Sequence, residues 1–280
     1  MKNVVRNCTK SIVKFAVGVS AKTSLGRFIY SLIVDHAMNR SEKINHLEVE
    51  LIISTPNALN QYRADTFSTK EPETLEWIDN ISNNSVFWDI GANVGLYACY
   101  AAKRLGCEVF AFEPSVFNLE LLARNIYANG LTEKVTIVPL PLSNRLAVSK
   151  LNMTSTDWGG ALSTFGENYG HDGRVLAKIF EFSTIGLSMS DAVDLLNIPQ
   201  PDYIKMDVDG IEHLILKGGG AVLEGARSLL IEINDDFSLQ SEDANKYLIK
   251  AGFKLKEKRH AEEFNVGDAM NIYNQIWIKN

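Results

Sequence analysis

Two carboxylates, Asp89 and Glu113, each close a short apolar run, with a glycine-rich turn between them. Val86-Phe87-Trp88 leads into Asp89, then come Gly91, Asn93 and Gly95, an apolar segment at helical spacing, and Glu108 to Phe112 ending on Glu113 and Pro114. Strand, turn, helix and strand within about thirty residues form one βαβ unit. Parallel strands joined this way bring their carboxyl ends to one rim, where open α/β sheets bind ligands. Both acids are expected on that rim. Gly91 and Gly95 remove side chains where backbone approaches a ligand closely or takes a positive φ. Glu113 is placed to accept hydrogen bonds from the two vicinal hydroxyls of a ribose.

A dinucleotide site carries a similar acid, so the glycine spacing has to discriminate. Such sites read G-x-G-x-x-G. Here the string is D-x-G-x-N-x-G, with Asn93 in place of the second glycine and an acid just before the turn. That carboxylate would repel a pyrophosphate but suits a ligand with a cationic amino-acid tail. S-adenosylmethionine has such a tail and a ribose diol, and no phosphate.

A second group of reactive residues closes the apolar run YIKMDV, Tyr203 to Val208, which delivers Asp207, Asp209, Glu212 and His213 to the rim. The neighbouring run LLIEI carries Glu232. Methyl transfer from a sulfonium is an in-line displacement, so much of its rate comes from holding an oxygen about 3 Å from the methyl carbon. Removing the hydroxyl proton adds roughly a hundred- to ten-thousandfold. Asp207 or Asp209 is expected to hold the acceptor hydroxyl and take its proton, with His213 and Glu232 as second choices. Asp207-Val208-Asp209 also mimics the metal-binding D-x-D of glycosyltransferases, and a metal-assisted methyltransferase could use the same acids with Asp235 or Asp236 as a third oxygen ligand. A non-catalytic, cofactor-fold interaction protein is the remaining alternative. No metal is expected in the favoured reading.

The elements that position these groups follow in chain order. HLEVELII, His46 to Ile53, alternates in part as a strand does, and Gln61 to Lys70 reads as a loop placing Arg63 and Lys70 at the mouth of the site. Glu71-Pro72-Glu73-Thr74 opens a helix, with proline in the first turn and acids that complement the dipole. Val116 to Asn129 is a helix stopped by Gly130, and Val135 to Leu140 a strand that would put Ser143 and Asn144 near an adenine ring. Residues 145–200 are the least regular. Trp158, in the loop STDWGGALST, could stack on a sugar or on adenine, and His171 sits in another polar loop. Phe253 to Lys258 and Ile272 to Ile278 form a closing antiparallel pair.

DIGANVG, the FEP of Phe112 to Pro114, IKMDVDGIEHLILKGG and, upstream, TKEPETLEWID (Thr69 to Asp79) resemble the FkbM-type family of S-adenosylmethionine-dependent methyltransferases, from roughly Arg63 to Ile233. The resemblance implies a class I methyltransferase fold: a Rossmann-like three-layer α/β sandwich with a mostly parallel seven-stranded sheet whose last strand runs antiparallel. It also implies O-methylation of a glycan, a sugar-bearing lipid or a secondary metabolite. Asp209 departs from the glutamate common in the family.

The net charge of −6 argues against nucleic acid. Hydrophobic content of 46% and charged content of 22% are those of an ordinary globular chain. Cys8, Cys99 and Cys107 show no C-x-x-C spacing and read as free thiols in a reducing cytoplasm. Residues 1–68 read as an N-terminal helical and strand extension, and 69–280 as the catalytic domain. Six basic residues precede the first acid, Asp35, among apolar residues at helical spacing and without an apolar run long enough to span a bilayer. Such helices would either cap the catalytic domain or rest on the anionic inner face of a membrane.

Overall fold

The computed structural model describes residues 2–260 and 270–279, with side chains from residue 8 onward; the side chains of Lys2 and Arg6 lie outside the described set. The chain begins with helices α1 (Lys2–Ser20) and α2 (Ser24–Met38), the hairpin β1 (Ser41–His46) and β2 (Val49–Ser54), and helices α3 (Ala58–Asp65) and α4 (Pro72–Asp79). The glycine-rich unit follows as β3 (Val86–Ile90), α5 (Leu96–Leu105) and β4 (Glu108–Phe112), then α6 (Val116–Ala128) and β5 (Val135–Val138). Next come β6 (Ala147–Met153), β7 (Ser163–Phe165), β8 (Phe180–Gly186) and α7 (Met189–Leu196). The chain closes with β9 (Tyr203–Met206), α8 (Glu212–Lys217), α9 (Gly220–Gly225), β10 (Ser228–Asn234), α10 (Ser238–Lys250), β11 (Lys254–Arg259) and β12 (Ile272–Ile278).

The central sheet has seven strands in the order β11-β12-β10-β9-β3-β4-β5. All pairs from β10 to β5 are parallel, while β12 runs antiparallel to both β10 and β11. Strand periodicity explains the three layers. Trp88, Phe110, Ile204 and Leu229 enter one core. Their neighbours Phe87, Val109, Tyr203 and Leu230 enter the core on the opposite face. Strands buried on both faces read as continuous apolar runs, which is why β3, β4, β9 and β10 are plain in the sequence.

Three local features differ from the sequence reading. The segment after Pro56 is the helix α3, because Asn57 caps it by accepting from the Asn60 amide. Arg63 therefore sits on a helix. HLEVELII is the turn and second strand of a hairpin, and β2 buries Val49, Leu51 and Ile53 in the same core as Leu75 and Phe87. Residues 147–186 contain a small antiparallel sheet, β7-β6-β8. All three cysteines are free, with Cys99 and Cys107 buried, and burial pushes the Cys99 thiol up to about 12.

Candidate active site

The site lies where β3, β4, β9 and β10 end. A cavity of about 280 Å³ is lined by residues of α3, α4, the glycine turn and the β9 and β10 ends, including Arg63, Lys70, Glu71, Tyr97, Asp207 and Glu232. A smaller one, about 60 Å³, is lined by Glu113, Pro114, Asn118, Leu140, Pro141 and Leu142 among others. Gly91, Asn93, Ala161, Asp207 and Asp209 line both. The two chambers therefore meet at the glycine turn and the tip of β9.

Glu113 is buried and accepts from the backbone amides of Asn93 (2.8 Å) and Ser115 (2.7 Å). Burial outweighs those bonds and pushes its pKa up to about 7. Burial likewise raises Asp89 to about 6, partly countered by the Lys205 charge. Both Asp89 carboxylate oxygens and Asn93 Oδ1 are buried without a hydrogen-bond partner. Buried acceptors left unpaired are costly and point to a missing donor. Of these acceptors Asn93 lines both chambers and Glu113 the smaller one, and that pair fits a ligand carrying an ammonium group and a vicinal diol, whereas Asp89 lines neither chamber and stands behind the turn near Lys205.

Both glycines take the positive φ expected of them, and each also makes room for a neighbouring element. Gly91 has φ +85°, and a Cβ there would stand 1.8 Å from the Asp207 carbonyl oxygen. Gly95, at φ +81°, would put a Cβ 2.3 Å from Leu122 Cδ1 on α6. Gly91 thus lets the turn cross the β9 tip, and Gly95 lets α5 pack on α6. Only Gly91 of the two lines a chamber.

Lys205, inside β9 and 2% exposed, was not visible as a site residue. Its Nζ donates to Asp207 Oδ2 at 3.2 Å and stands 5.1 Å from the centroid of the Tyr97 ring. Burial alone would lower its pKa, but the charges of Asp207, Asp89 and Glu71 hold it above the ordinary lysine range. Glu71 accepts from Lys70 (2.7 Å) and Tyr97 (3.0 Å), and these partners with Lys205 keep it below the usual carboxylate value despite burial. Burial raises the Glu232 carboxyl well above its usual value, reinforced by the Asp207 and Glu71 charges. The signal available in the sequence was a lone lysine inside an apolar strand, with Glu71 opening the helix upstream.

Asp209, at φ +61°, accepts from the amides of Leu162 (2.7 Å) and Ser163 (3.4 Å). Burial and the Asp207 charge raise its pKa to about 6. The same loop is held from other sides. Asn93 and Asn118 donate to Gly160 O, Arg63 donates to Gly159 O at 2.7 Å, and Asn57 and Asn60 donate to the carbonyl of Trp158. Trp158 thus contributes its backbone, and its ring lines neither chamber. Arg63 Nε remains buried and unpaired.

Besides Asp89, three further residues fall outside the chambers. His213 is turned into the core on α8, its ring 6.1 Å from that of Phe237, because Glu212 takes the rim position by accepting from the Val208 and Gly210 amides. Ser143 and Asn144 are drawn away by the pairing of Leu142 with Leu187, and Leu140 to Leu142 line the smaller chamber instead. His171, in contrast, lines the larger chamber. Among the described residues no three His, Cys, Asp or Glu side chains converge as metal ligands.

The Glu113 geometry carries a pH prediction. A buried carboxyl raised from 4.5 to about 7 contributes stability that is fully present below pH 4.5 and is lost as pH rises through 7. Its ionised form is the better acceptor for a diol. Affinity for S-adenosylmethionine, measured by calorimetry, should therefore increase several-fold between pH 6 and pH 8, and Glu113→Gln should flatten that rise. A pH-independent affinity in the unsubstituted protein would contradict the role given to Glu113.

Residues 89–255, more than half of the chain, match the family described as Methyltransferase FkbM domain. The chain is 26% identical over 201 residues to the hexuronic acid methyltransferase AglP of Haloferax volcanii, covering 69% of this chain and 74% of that one. Its fold is similar to the crystal structure of methyltransferase FkbM from Methylobacillus flagellatus KT, with a TM-score of 0.50 and 16% identity. That likeness covers 80% of this chain and about half, 54%, of the other.

Proposed function

The chain belongs to the FkbM methyltransferase family, and from that premise we propose that it transfers a methyl group from S-adenosylmethionine to a hydroxyl of a sugar acceptor. The observation that carries this reading is the junction of the two chambers at Asp207, with Glu113 in one and Arg63 and Lys70 in the other. Glu113 would hold the ribose diol and Asn93 the amino-acid tail, with the Asp89 carboxylate acting from behind the glycine turn rather than by lining a chamber. When bound, S-adenosylmethionine supplies a methyl carbon on a sulfonium and leaves as a neutral thioether.

The chain's own part is to place and deprotonate the acceptor. Asp207 accepts the hydroxyl proton as the new C–O bond forms, and Lys205 fixes its carboxylate through the 3.2 Å bond. Asp209 and Asn93 hold residues 160–163 across both chambers and keep water out. Asp209 also bears on the glycosyltransferase alternative: a carboxylate accepting two loop amides is poorly free to ligate a metal. Calorimetry with S-adenosylmethionine, a nicotinamide dinucleotide and a nucleotide sugar tests the reading. Binding of the nucleotide sugar alone would overturn it.

The substrate named for the Haloferax volcanii relative, a hexuronic acid, supports an acceptor that bears a carboxylate. Arg63, with a buried unpaired Nε beside Lys70, has the chemistry to receive one. Charge-assisted hydrogen bonds are worth about 1.5–3 kcal/mol, so Arg63→Ala should raise KM for a uronic-acid acceptor roughly ten- to a hundredfold. KM for a neutral sugar should move much less. Equal changes for both acceptors would remove Arg63 from carboxylate recognition.

A further inference from the structure

The first 34 residues contain Lys2, Arg6, Lys10, Lys14, Lys22 and Arg27 and no acid. Removing those six positive charges from the net −6 leaves −12 on the remainder, so the two parts of the chain are opposite in sign. Four of the six recur at every fourth position of the sequence, Lys2, Arg6, Lys10 and Lys14, and of these the described side chains, Lys10 and Lys14, share one face of α1. Like charges at that spacing destabilise a helix, and α1 carries no acidic residue to offset them. Lys10 and Lys14 are exposed.

A different face of α1 carries Cys8, Ile12, Phe15 and Val19, at intervals of four, three and four. Ile12 is 68% exposed and Phe15 75%. On α2, Leu25, Phe28, Ile29, Leu32 and Ile33 repeat the i, i+3, i+4, i+7, i+8 pattern of an apolar stripe, and all five are exposed. Among the described residues of both helices only Gly26 is buried.

The joint between the helices is built rather than loose. Thr23 caps α2 by accepting from the Gly26 amide at 3.0 Å, the Ser20 and Tyr30 hydroxyls are hydrogen-bonded, and a Cβ on Gly26 would fall 1.8 Å from Ser20 O. No helix among the described residues is long and apolar enough to cross a membrane. A helix with a basic face, a large apolar stripe and no acid is suited to lying in the plane of a bilayer surface.

We infer that α1 and α2 form an interfacial anchor, with their apolar stripes entering the acyl boundary and the basic residues of α1 on anionic lipid headgroups. Charge complementarity matches the basic residues of α1 to anionic headgroups, and the exposed apolar stripes of α1 and α2 select an acyl boundary over a second copy of the chain, whose α1 is basic and whose remainder, at −12, is acidic. The inference is independent of the methyl donor and of the acceptor.

The test mixes the full chain with vesicles of phosphatidylcholine alone and of phosphatidylcholine containing phosphatidylglycerol, and reads bound protein by sedimentation. Each basic residue at an anionic surface adds about fivefold to binding. Binding to the anionic vesicles should be at least about tenfold tighter than to the neutral ones, and should weaken as salt is raised. The double variant Lys10→Glu with Lys14→Glu should lose roughly a hundredfold or more. Ile12→Ser with Phe15→Ser should also detach the protein. Both should keep the parent melting temperature and S-adenosylmethionine affinity, since all four positions are exposed. Equal binding to the two vesicle types, or none to either, would overturn the inference. So would a solution dimer that the Ile12 and Phe15 variant dissolves without any vesicle binding.

Discussion

Asp207→Asn is expected to lower kcat by about a hundred- to ten-thousandfold, the range a positioned general base contributes. The affinity for S-adenosylmethionine should stay near that of the parent. The substitution preserves shape and one acceptor oxygen while removing the ability to take a proton. It also leaves the Lys205 charge facing Asp89 and Glu71, which still hold it, so the fold should survive. Asp209→Asn is the comparison, because its oxygen can continue to accept from Leu162 and Ser163. Turnover followed by the mass of methylated product, with calorimetry on each variant, separates chemistry from binding. A larger kcat loss in Asp209→Asn than in Asp207→Asn would reverse the two roles, and full turnover in both would remove the assignment.

Lys205→Met should cost about 3–5 kcal/mol of folding stability, the usual consequence of removing one member of a buried charge group. Methionine matches the lysine stem in length, so the loss is electrostatic rather than a cavity. Without Lys205 Nζ, Asp89, Asp207 and Glu71 face one another with no cation among them but Lys70, which is paired with Glu71. The sign with pH follows from the carboxyls. Asp89 stands at about 6 with Lys205 lowering it, and it rises further once that charge is gone. A carboxyl raised above its unfolded value stabilises the fold at low pH and ceases to do so as pH rises through its folded pKa. The destabilisation should therefore be larger at pH 8 than at pH 5.5, read as the urea midpoint at each pH with the m-value checked for constancy. A pH-independent loss would mean that Lys205 acts through packing on Tyr97 instead.

The frame of the molecule was legible because its strands are buried on both faces and its turns are punctuated. β3, β4, β9 and β10 are apolar runs closed by acids or glycines, and that pattern survives without any knowledge of packing. Glu113 and Asp207 were readable for the same reason, since each closes such a run and lines a chamber, whereas Asp89 closes one as well and is buried behind the turn, lining neither. What failed was phase. His213 follows Glu212 by one position on a helix, and a rotation of about 100° per residue carries it from the rim into the core beside Phe237. β5 ends at Val138 rather than Leu140, so the lining of the smaller chamber shifts to Leu140–Leu142 and away from Ser143 and Asn144. Trp158 offered a ring to the eye, yet the fold uses its carbonyl, which accepts from Asn57 and Asn60 while Arg63, Asn93 and Asn118 take the next two carbonyls of that loop. Lys205 hid within a strand read as apolar, although a lysine between Ile204 and Met206 is itself a sign that acids wait nearby.

Residues 158–163 form a single strip of backbone fastened from opposite sides, by Asn93, Asn118 and Asp209 near the glycine turn and by Asn57, Asn60 and Arg63 from α3 and its cap. The two ligands consequently share one partition and cannot be admitted by separate doors. With Arg63 holding the sugar as proposed, any loosening of this strip for the spent donor to depart would also break the Arg63 bond to the Gly159 carbonyl, so exchange in one compartment would be felt in the other.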